Sequence, residues 1–190
     1  MAKLAAFTYV SLDGYFAGPR GEIDWFKAIG KDDEYESYTH RQSSSGGALI
    51  FGRTTYEIMK SYWPTAPARK ADPEMAAAVN ENPKIVFSKK LKKADEGPHW
   101  KNVTLLHDIE ASDIRKRKGA ATKGFTILGS GSIVRQLARL GLVDEYSLVV
   151  VPLLLGAGKP LFEDFEKTRL ELAESKSFRN GLLVLRYRPA

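Results

Sequence analysis

Residues 125–137 read FTILGSGSIVRQL, in which four small residues separate an apolar run from an amphipathic one. FTILG predicts a buried strand, and SIVRQLARLG predicts a helix because Ile133, Leu137 and Leu140 recur at helical spacing. The small residues between them have two interpretations. They end a strand and cap a helix, or they leave the N–H groups of a helix N-terminus open to an anion. The residues concerned are Gly129, Ser130, Gly131 and Ser132.

Two other junctions between a predicted strand and a polar segment have the same character. LIFGRTTYE places Gly52, Arg53 and Thr54 after an apolar run, and IVFSKKL places Ser88, Lys89 and Lys90 after another. In an open parallel sheet, ligands bind outside the carboxyl ends of the strands. Helix N-termini and basic side chains at that edge attract phosphates. Together the junctions predict a ligand with several phosphates, such as a dinucleotide.

Each junction alone is a weak signal. GSGSIV is not a G-x-G-x-x-G fingerprint, because Val134 occupies the position of the third glycine. Gly52 alone is more typical of a simple turn. The sequence also contains no Walker A motif and no G-x-S-x-G elbow. The sequence shows no evident nucleophile, but its strand–helix junctions are typical of dinucleotide binding. These observations together favour hydride transfer, in which a cofactor performs the chemistry.

The order of apolar runs predicts an α/β fold in one domain spanning residues 1–190. Strand-like runs start near residues 3, 48, 84, 103, 125 and 145 and alternate with helical patterns, which favours a mostly parallel sheet with helices on both faces. The run from 145 is expected to continue to residue 155. Two last runs, joined by Asn180 and Gly181, predict an antiparallel hairpin. TTYEIMKSYW predicts a helix with a threonine cap. Residues 64–83 predict a polar connecting segment that contains one short helix.

Composition excludes several classes of site. The chain has no cysteine, so disulfides and thiolate metal sites are absent, and its three histidines are scattered, which disfavours a zinc site. We therefore expect no metal. The longest apolar run, from Leu148, is too short and too interrupted to span a bilayer. With no signal-peptide pattern at the N-terminus, we expect a cytoplasmic protein without a membrane partner.

The net charge of +6 suits a phosphorylated ligand and does not require nucleic acid. The densest basic run, RKRKG at 115–119, is typical of the last turn of a helix that ends at Gly119. It lacks the interleaved aromatic residues of a single-strand binding surface. We therefore expect no nucleic-acid partner, and nucleic-acid binding is the weakest alternative.

Four stretches, YVSLDGYFAG, LIFGRTTYEIM, ILGSGSIVRQL and LLLGAGKPLF, resemble in order the signature blocks of the dihydrofolate reductase-like superfamily. Within it, the chain is most similar to the reductase domain of bacterial riboflavin-biosynthesis deaminase-reductases, over residues 3–188. The resemblance implies a three-layer fold with an eight-stranded sheet, NADPH as hydride donor and a homodimer. The zinc deaminase signature of the fused enzymes is absent, so a riboflavin precursor is not implied as the substrate.

The resemblance also assigns residues to roles. It implies cofactor contacts from Gly52, Arg53 and Thr54, from Ser88 and Lys89 near the 2′-phosphate, and from Gly129, Ser130, Gly131 and Ser132 near the pyrophosphate and nicotinamide. Ser11, Leu12, Asp13 and Gly14 match a segment beside the nicotinamide and the substrate. Residues 156–162 match a loop that closes over the active site.

Asp13 is the candidate catalytic residue, positioning or protonating the substrate, although Asp-Gly is also ordinary in a turn. Asp24 and Trp25 are candidate substrate contacts, or equally a helix cap followed by a core aromatic. Tyr9, Tyr15, Trp25, Phe26 and Trp63 are candidate walls for a flat substrate, or simply core. The leading hypothesis is an NADPH-dependent reductase acting on a C=O or C=N carbon of a small heterocyclic or sugar-derived molecule. The alternatives are a nucleotide-binding module without turnover and a true dihydrofolate reductase.

Overall fold

A computed structural model describes residues 1–25, 29–43 and 46–190. The strands in these ranges are β1 (Leu4–Ser11), β2 (Tyr15–Ala17), β3 (Ala48–Gly52), β4 (Lys84–Phe87), β5 (Val103–Leu106), β6 (Phe125–Gly129), β7 (Glu145–Val151), β8 (Lys159–Pro160), β9 (Leu170–Ser177) and β10 (Leu183–Pro189). The α-helices are α1 (Asp33–Ser43), α2 (Arg53–Tyr62), α3 (Ala66–Ala71), α4 (Pro73–Glu81), α5 (Ala111–Ala120) and α6 (Gly131–Arg139).

Eight strands form one sheet in the order β5-β4-β3-β6-β1-β7-β10-β9. The strands from β5 to β7 in this order are all parallel. β10 runs antiparallel to both of its neighbours, β7 and β9. Every residue of β4 is buried, as expected of a parallel strand covered on both faces. The predicted mostly parallel sheet with an antiparallel C-terminal end is confirmed.

Helices cover both faces of the sheet and make three layers. On one face, α5 and α6 contribute Ile114, Ile133 and Leu137 to a core with Leu4 and Ile127. On the other face, α1 packs its tyrosines against β7 and β10, while α2 and α4 pack against β3 and β4. The α/β class and the dihydrofolate reductase-like three-layer arrangement expected from the sequence are therefore present.

The C-terminal hairpin turns where the sequence predicts. Gly181 has a φ of +86°, a conformation that glycine adopts without strain. Across the turn, the Phe178 N–H donates to the Leu182 carbonyl at 2.9 Å. Asn180 is tied to the loop before α1, because its backbone N–H donates to Asp32 at 3.2 Å.

Several helix ends differ from the sequence prediction. α2 begins at Arg53 with Gly52 as its N-cap residue, so no threonine caps it. α5 continues through Gly119 to Ala120, because glycine lowers helix propensity without ending a helix that is otherwise packed. α6 ends at Arg139, which leaves Leu140 40% exposed, and Val134 is buried instead.

Two further expectations on element length were wrong. Residues 64–83 hold two helices, because Thr65 and Asp72 each cap a helix that has proline in its first turn. β7 ends at Val151 and does not reach residue 155, since Pro152 has no N–H to continue the ladder. Among the described helices, none is long and apolar enough to cross a membrane.

Candidate functional site

The three junctions singled out in the sequence meet at one edge of the sheet. β3 lies between β4 and β6, and all three are parallel. Gly52 is paired with Phe87, the last residue of β4, and Phe51 is paired with Gly129, the last residue of β6. The polar residues that follow these strands are therefore neighbours, as the parallel sheet predicts.

The small residues at these junctions permit a close approach of neighbouring segments. A Cβ atom on Gly52 would lie 2.7 Å from Ser130 Oγ, and one on Gly131 would lie 2.6 Å from Phe16 Cδ1. Gly129 has a φ of +122°, which favours glycine. Ser130 is the N-cap residue of α6, but its hydroxyl bonds to Ser132 Oγ at 2.7 Å and does not cap the helix.

A cavity of about 560 Å³, here named the edge cavity, opens between the three junctions. Most of the cofactor-binding residues predicted from the sequence line it together: Gly52, Arg53, Thr54, Ser88, Lys89, Ser130 and Ser132. Its other polar lining residues are Lys90, His107, Gln136 and two acidic residues, Asp108 and Glu110. The edge cavity is therefore formed by residues that are distant in sequence and adjacent only in the fold.

Three helices begin beside the edge cavity without a side-chain cap. They are α2, α5 and α6, whose N-cap residues are Gly52, Glu110 and Ser130. The other three described helices are each capped by a side chain, from Asp32, Thr65 and Asp72. An uncapped N-terminus keeps unsatisfied N–H groups and a partial positive charge. The missing caps thus coincide with the place where an anion would supply the partner.

Basic side chains add full charges to this edge. Lys89 Nζ lies 3.1 Å from Asp108 Oδ1, and Arg53 Nη1 lies 3.2 Å from the Glu57 carboxylate. Lys90 makes no ion pair with any described residue. Ion pairs this exposed are weak, so both partnered cations are free to turn toward a phosphate.

A second cavity, of about 790 Å³ and here named the large cavity, adjoins the first. Thr54, Ser130 and Ser132 line both cavities, while Gly129 and Gly131 line the large one. Its remaining wall is mostly apolar and includes Phe7, Phe16, Ile23, Ile58, Met59 and Leu128. An elongated ligand with a charged end and a flat apolar end would therefore pass over the Gly129–Ser132 turn.

Two residues of β1 that carry hydroxyl groups, Thr8 and Tyr9, line the large cavity. Thr8 is 8% exposed, and its buried Oγ1 atom has no hydrogen-bond partner among the described residues. The Tyr9 hydroxyl accepts a hydrogen bond from the Tyr35 hydroxyl at 2.5 Å. Burial raises the pKa of Tyr9, so this phenol stays protonated at neutral pH.

The segment 156–162 closes against β2 at the rim of the large cavity. Gly158 is required there, because a Cβ atom would lie 3.0 Å from the Tyr15 ring and still closer to the Ala17 carbonyl. Arg135 of α6 holds the segment through the Pro160 carbonyl at 3.1 Å and through an ion pair with Glu163. Lys159 also lines the cavity. Two cations and one carboxylate thus surround its mouth.

Asp13 does not line the large cavity and instead joins two loops. Its carboxylate accepts from Ser11 Oγ at 2.6 Å and from the backbone N–H groups of Leu155 and Gly156 at 3.2 and 2.8 Å. The Ser11 hydroxyl bond, reinforced by these N–H groups, lowers the pKa of Asp13. Ser11 is buried and Leu12 is 66% exposed, and neither lines the cavity. A catalytic role for Asp13 and substrate contacts from Ser11 and Leu12 stay predictions.

Asp24 and Trp25 also lie outside the large cavity, whose nearest lining residue in sequence is Ile23. Trp25 packs against the core cluster beneath α1, so the core interpretation describes its position. Of the other candidate aromatic walls, Tyr9 lines the large cavity, Tyr15 and Trp63 do not, and Phe26 lies outside the described residues.

Sequence reasoning missed several residues of the site. Arg135 and Gln136 belong to the polar side of α6, which the helical pattern assigns to solvent. Thr8 carries no motif, and Phe16 lies in the YVSLDGYFAG stretch without having been singled out, although its ring packs against Gly131 in the structure. Among the described residues, no group of three or more His, Asp or Glu side chains is placed to hold a metal ion.

The family model described as RibD C-terminal domain matches residues 2–184. Two curated relatives, YyaP and YwjB of Bacillus subtilis strain 168, are uncharacterized. YyaP is 27% identical over 94% of this chain and 90% of its own length. YwjB is 26% identical over 93% of this chain and 92% of its own length.

Solved structures share the fold at low identity. A putative riboflavin biosynthesis protein from Shewanella sp. PV-4 has a TM-score of 0.78 and 22% identity, covering 100% of this chain and 99% of that one. A deaminase/5-amino-6-(5-phosphoribosylamino)uracil reductase from Thermotoga maritima has a TM-score of 0.68 and 17% identity, covering 100% and 57%. Dihydrofolate reductase from Enterococcus faecalis, solved with NADP(H), has a TM-score of 0.61 and 15% identity, covering 98% and 96%.

Proposed function

Because the chain belongs to the RibD C-terminal domain family, we propose that it is an NADPH-dependent reductase. The reaction is transfer of a hydride to the carbon of a C=O or C=N bond in a small heterocyclic or sugar-derived substrate. One observation carries the proposal: three uncapped helix N-termini and three basic side chains converge on the edge cavity. That arrangement suits a ligand with several phosphates.

Different parts of the cofactor would lie in the two cavities. Arg53, Lys89 and Lys90 would hold the 2′-phosphate and its neighbours in the edge cavity, and the Gly129–Ser132 turn would hold the pyrophosphate. The nicotinamide would lie in the large cavity, against its mostly apolar wall. When bound, NADPH supplies the hydride.

The chain itself orients the reactants and excludes water. Phe7, Phe16 and Leu128 give the large cavity apolar walls, and the segment 156–162 covers its rim. Glu163 is neutralised by Arg135 at the mouth of this cavity. Asp13 would reach the substrate only after releasing the N–H groups of Leu155 and Gly156.

Thermal unfolding with NADPH, NADH, FMN or no ligand tests the cofactor. A ligand at 100 times its Kd stabilises the fold by about 2.7 kcal/mol, so NADPH should raise the midpoint and NADH should raise it less. Lys90→Ala should weaken NADPH binding about tenfold and leave NADH binding unchanged. Lys92→Ala, a change at an exposed position outside the edge cavity, is the matched control. A midpoint shift with FMN alone would overturn the proposal.

Turnover separates the alternatives. Oxidation of NADPH by a carbonyl or imine heterocycle supports the reductase, and oxidation by dihydrofolate identifies a true dihydrofolate reductase. Binding of NADPH without oxidation by any acceptor favours a nucleotide-binding module. We also propose one domain spanning residues 1–190 and a homodimer, and light scattering after gel filtration measures the mass.

A further inference from the structure

A third cavity, of about 340 Å³ and here named the inner cavity, lies between the sheet and helices α1 and α4. Phe7, Tyr9, Met59 and Leu128 line both the inner and the large cavity. The inner cavity extends away from the edge cavity, because its floor is formed where β1, β6 and β7 begin. A substrate in the large cavity would therefore meet the inner cavity at its far end.

Strand register explains why this part of the sheet is hollow. Ala5 is paired with Thr126 on one side and with Glu145 on the other, so the row across the three strands has a small residue at its centre. The buried Gly47 adds no side chain at the margin. The helices above contribute Gln42 from α1 and Ala78 from α4, which do not fill the space.

Two hydroxyl groups on the floor have no hydrogen-bond partner within the described ranges. They belong to Thr126 and Ser147. Both residues line the inner cavity, and Ser147 as a whole is 8% exposed. Both groups can donate and accept, so they suit a ligand that offers carbonyl, amide, amino or hydroxyl groups.

The charges around the inner cavity are already neutralised. The Glu145 carboxylate accepts hydrogen bonds from Arg186 Nη2 at 2.6 Å and from Arg188 Nε at 3.1 Å. Asp72 is 2.9 Å from His40 Nε2 and caps α4. No described lining residue is a lysine or an arginine. An anion in the inner cavity would therefore be desolvated without a lysine or arginine among the described lining residues to pair with.

We propose that the inner cavity binds the distal end of the substrate, and that this end is an uncharged group with N–H or O–H donors, not a phosphate or carboxylate. This inference rests on the proposed reductase function and specifies its substrate class. The Glu145 carboxylate accepts from the donors, and the Thr126 and Ser147 hydroxyls bond the remaining polar atoms.

The isosteric pair benzamide and benzoate tests the inference on the full chain saturated with NADPH. Binding is measured by ligand-observed NMR titration. We expect benzamide to bind at least tenfold more tightly than benzoate. Ala78→Phe, which fills the inner cavity, should weaken benzamide at least tenfold, whereas Ala77→Phe on the exposed side of α4 should not. Ser147→Ala should weaken it about fivefold, the usual effect of one lost hydrogen bond.

Equal binding of benzamide and benzoate overturns the proposal, as does equal binding by the two phenylalanine variants or no detectable benzamide binding. If Ala78→Phe fails to fold, Ser147→Ala decides: unchanged benzamide affinity refutes the inference. The NADPH-induced midpoint shift is recorded on the same samples. A normal shift with no benzamide binding refutes the inner-cavity proposal alone, whereas benzamide binding without a shift refutes the cofactor proposal alone.

Discussion

Lys84 is a fully buried lysine, and its titration should be visible in the stability of the protein. Its ammonium donates to the carbonyls of Asn80, Asn82 and Lys101 at 2.7, 2.8 and 2.9 Å. It also lies 4.6 Å from the centre of the Trp100 ring. These bonds join the end of α4 to the start of β4, the strand that carries Ser88 and Lys89 at its other end.

Burial lowers the pKa of the Lys84 ammonium from 10.5 to about 8. Because the folded pKa is below the unfolded one, the unfolded chain binds more protons between pH 8 and 10.5. The contribution of Lys84 therefore becomes more favourable as pH rises through this window. One pKa unit corresponds to about 1.4 kcal/mol, so the full change is about 3 kcal/mol, of which most is reached by pH 10.

Lys84→Met removes this titration and leaves three carbonyls without their donor. At pH 7 the variant should be less stable by about 1–3 kcal/mol, the usual cost of unsatisfied buried polar groups. Between pH 7 and pH 10 the deficit relative to wild type should grow by about 2–3 kcal/mol. Urea unfolding at each pH measures it, and comparison with wild type cancels the titration of buried tyrosines. Lys92→Met, at an exposed position, is the control.

A deficit that stays constant from pH 7 to pH 10 would refute the reasoning, since it would mean that Lys84 has an ordinary pKa in the folded protein. A variant more stable than wild type at pH 7 would show instead that the three hydrogen bonds do not offset the cost of burying the charge.

Three other changes have defined outcomes. Gly131→Ala should weaken NADPH binding at least tenfold in a calorimetric titration, because the new Cβ overlaps the phenylalanine ring of β2, whereas Gly119→Ala meets nothing and should leave affinity unchanged. The Asp72 carboxylate raises the pKa of His40. The pair therefore stabilises the fold below the unfolded pKa of about 6.5 and loses this contribution as pH rises through the folded pKa. Asp72→Asn, which can still cap α4, should reduce that dependence in unfolding curves from pH 5 to 8, and the part that stays comes from Glu74, 3.4 Å from His40 Nδ1. Glu110→Ser should supply the missing α5 cap and raise stability without ligand by about 1 kcal/mol in urea unfolding relative to Glu110→Ala, which removes the same charge from the edge cavity without adding a cap. The midpoint shift caused by NADPH should be smaller in Glu110→Ser than in Glu110→Ala, and equal shifts would contradict a role for this N-terminus.

Much of the fold could be predicted from the sequence because its signals are local. Residues 49–51 (LIF) and 85–87 (IVF) are apolar at every position, which marks strands buried on both faces. The Asn180–Gly181 pair marks the hairpin through backbone conformation alone. The edge cavity follows from the same signals, since parallel strands bring their carboxyl ends together and three junctions carry residues suited to phosphate.

The remaining features depend on contacts between residues distant in sequence. The motif around Asp13 does not indicate that its carboxylate has distant hydrogen-bond donors. Only the fold brings the N–H groups of Leu155 and Gly156 to that carboxylate. Thr8 has no distinguishing feature in the sequence, and only the fold places it among the residues that line the large cavity. The inner cavity depends on Ala5 lying between Thr126 and Glu145, a pairing that no local pattern contains.

The distribution of helix caps links stability to ligand binding. A missing side-chain cap costs about 1 kcal/mol, or a few tenths where the N-cap residue is glycine, so α2, α5 and α6 together give up about 2 kcal/mol in the free protein. Chance would scatter such defects, yet here all three border the edge cavity, and the described helices remote from it are capped. Phosphates bound at these N-termini would restore the missing hydrogen bonds, so part of the cofactor's affinity would come from completing helices that the chain leaves incomplete. The serines at 130 and 132 fit this arrangement, because their hydroxyls bond to each other and leave the N–H groups of α6 to the ligand.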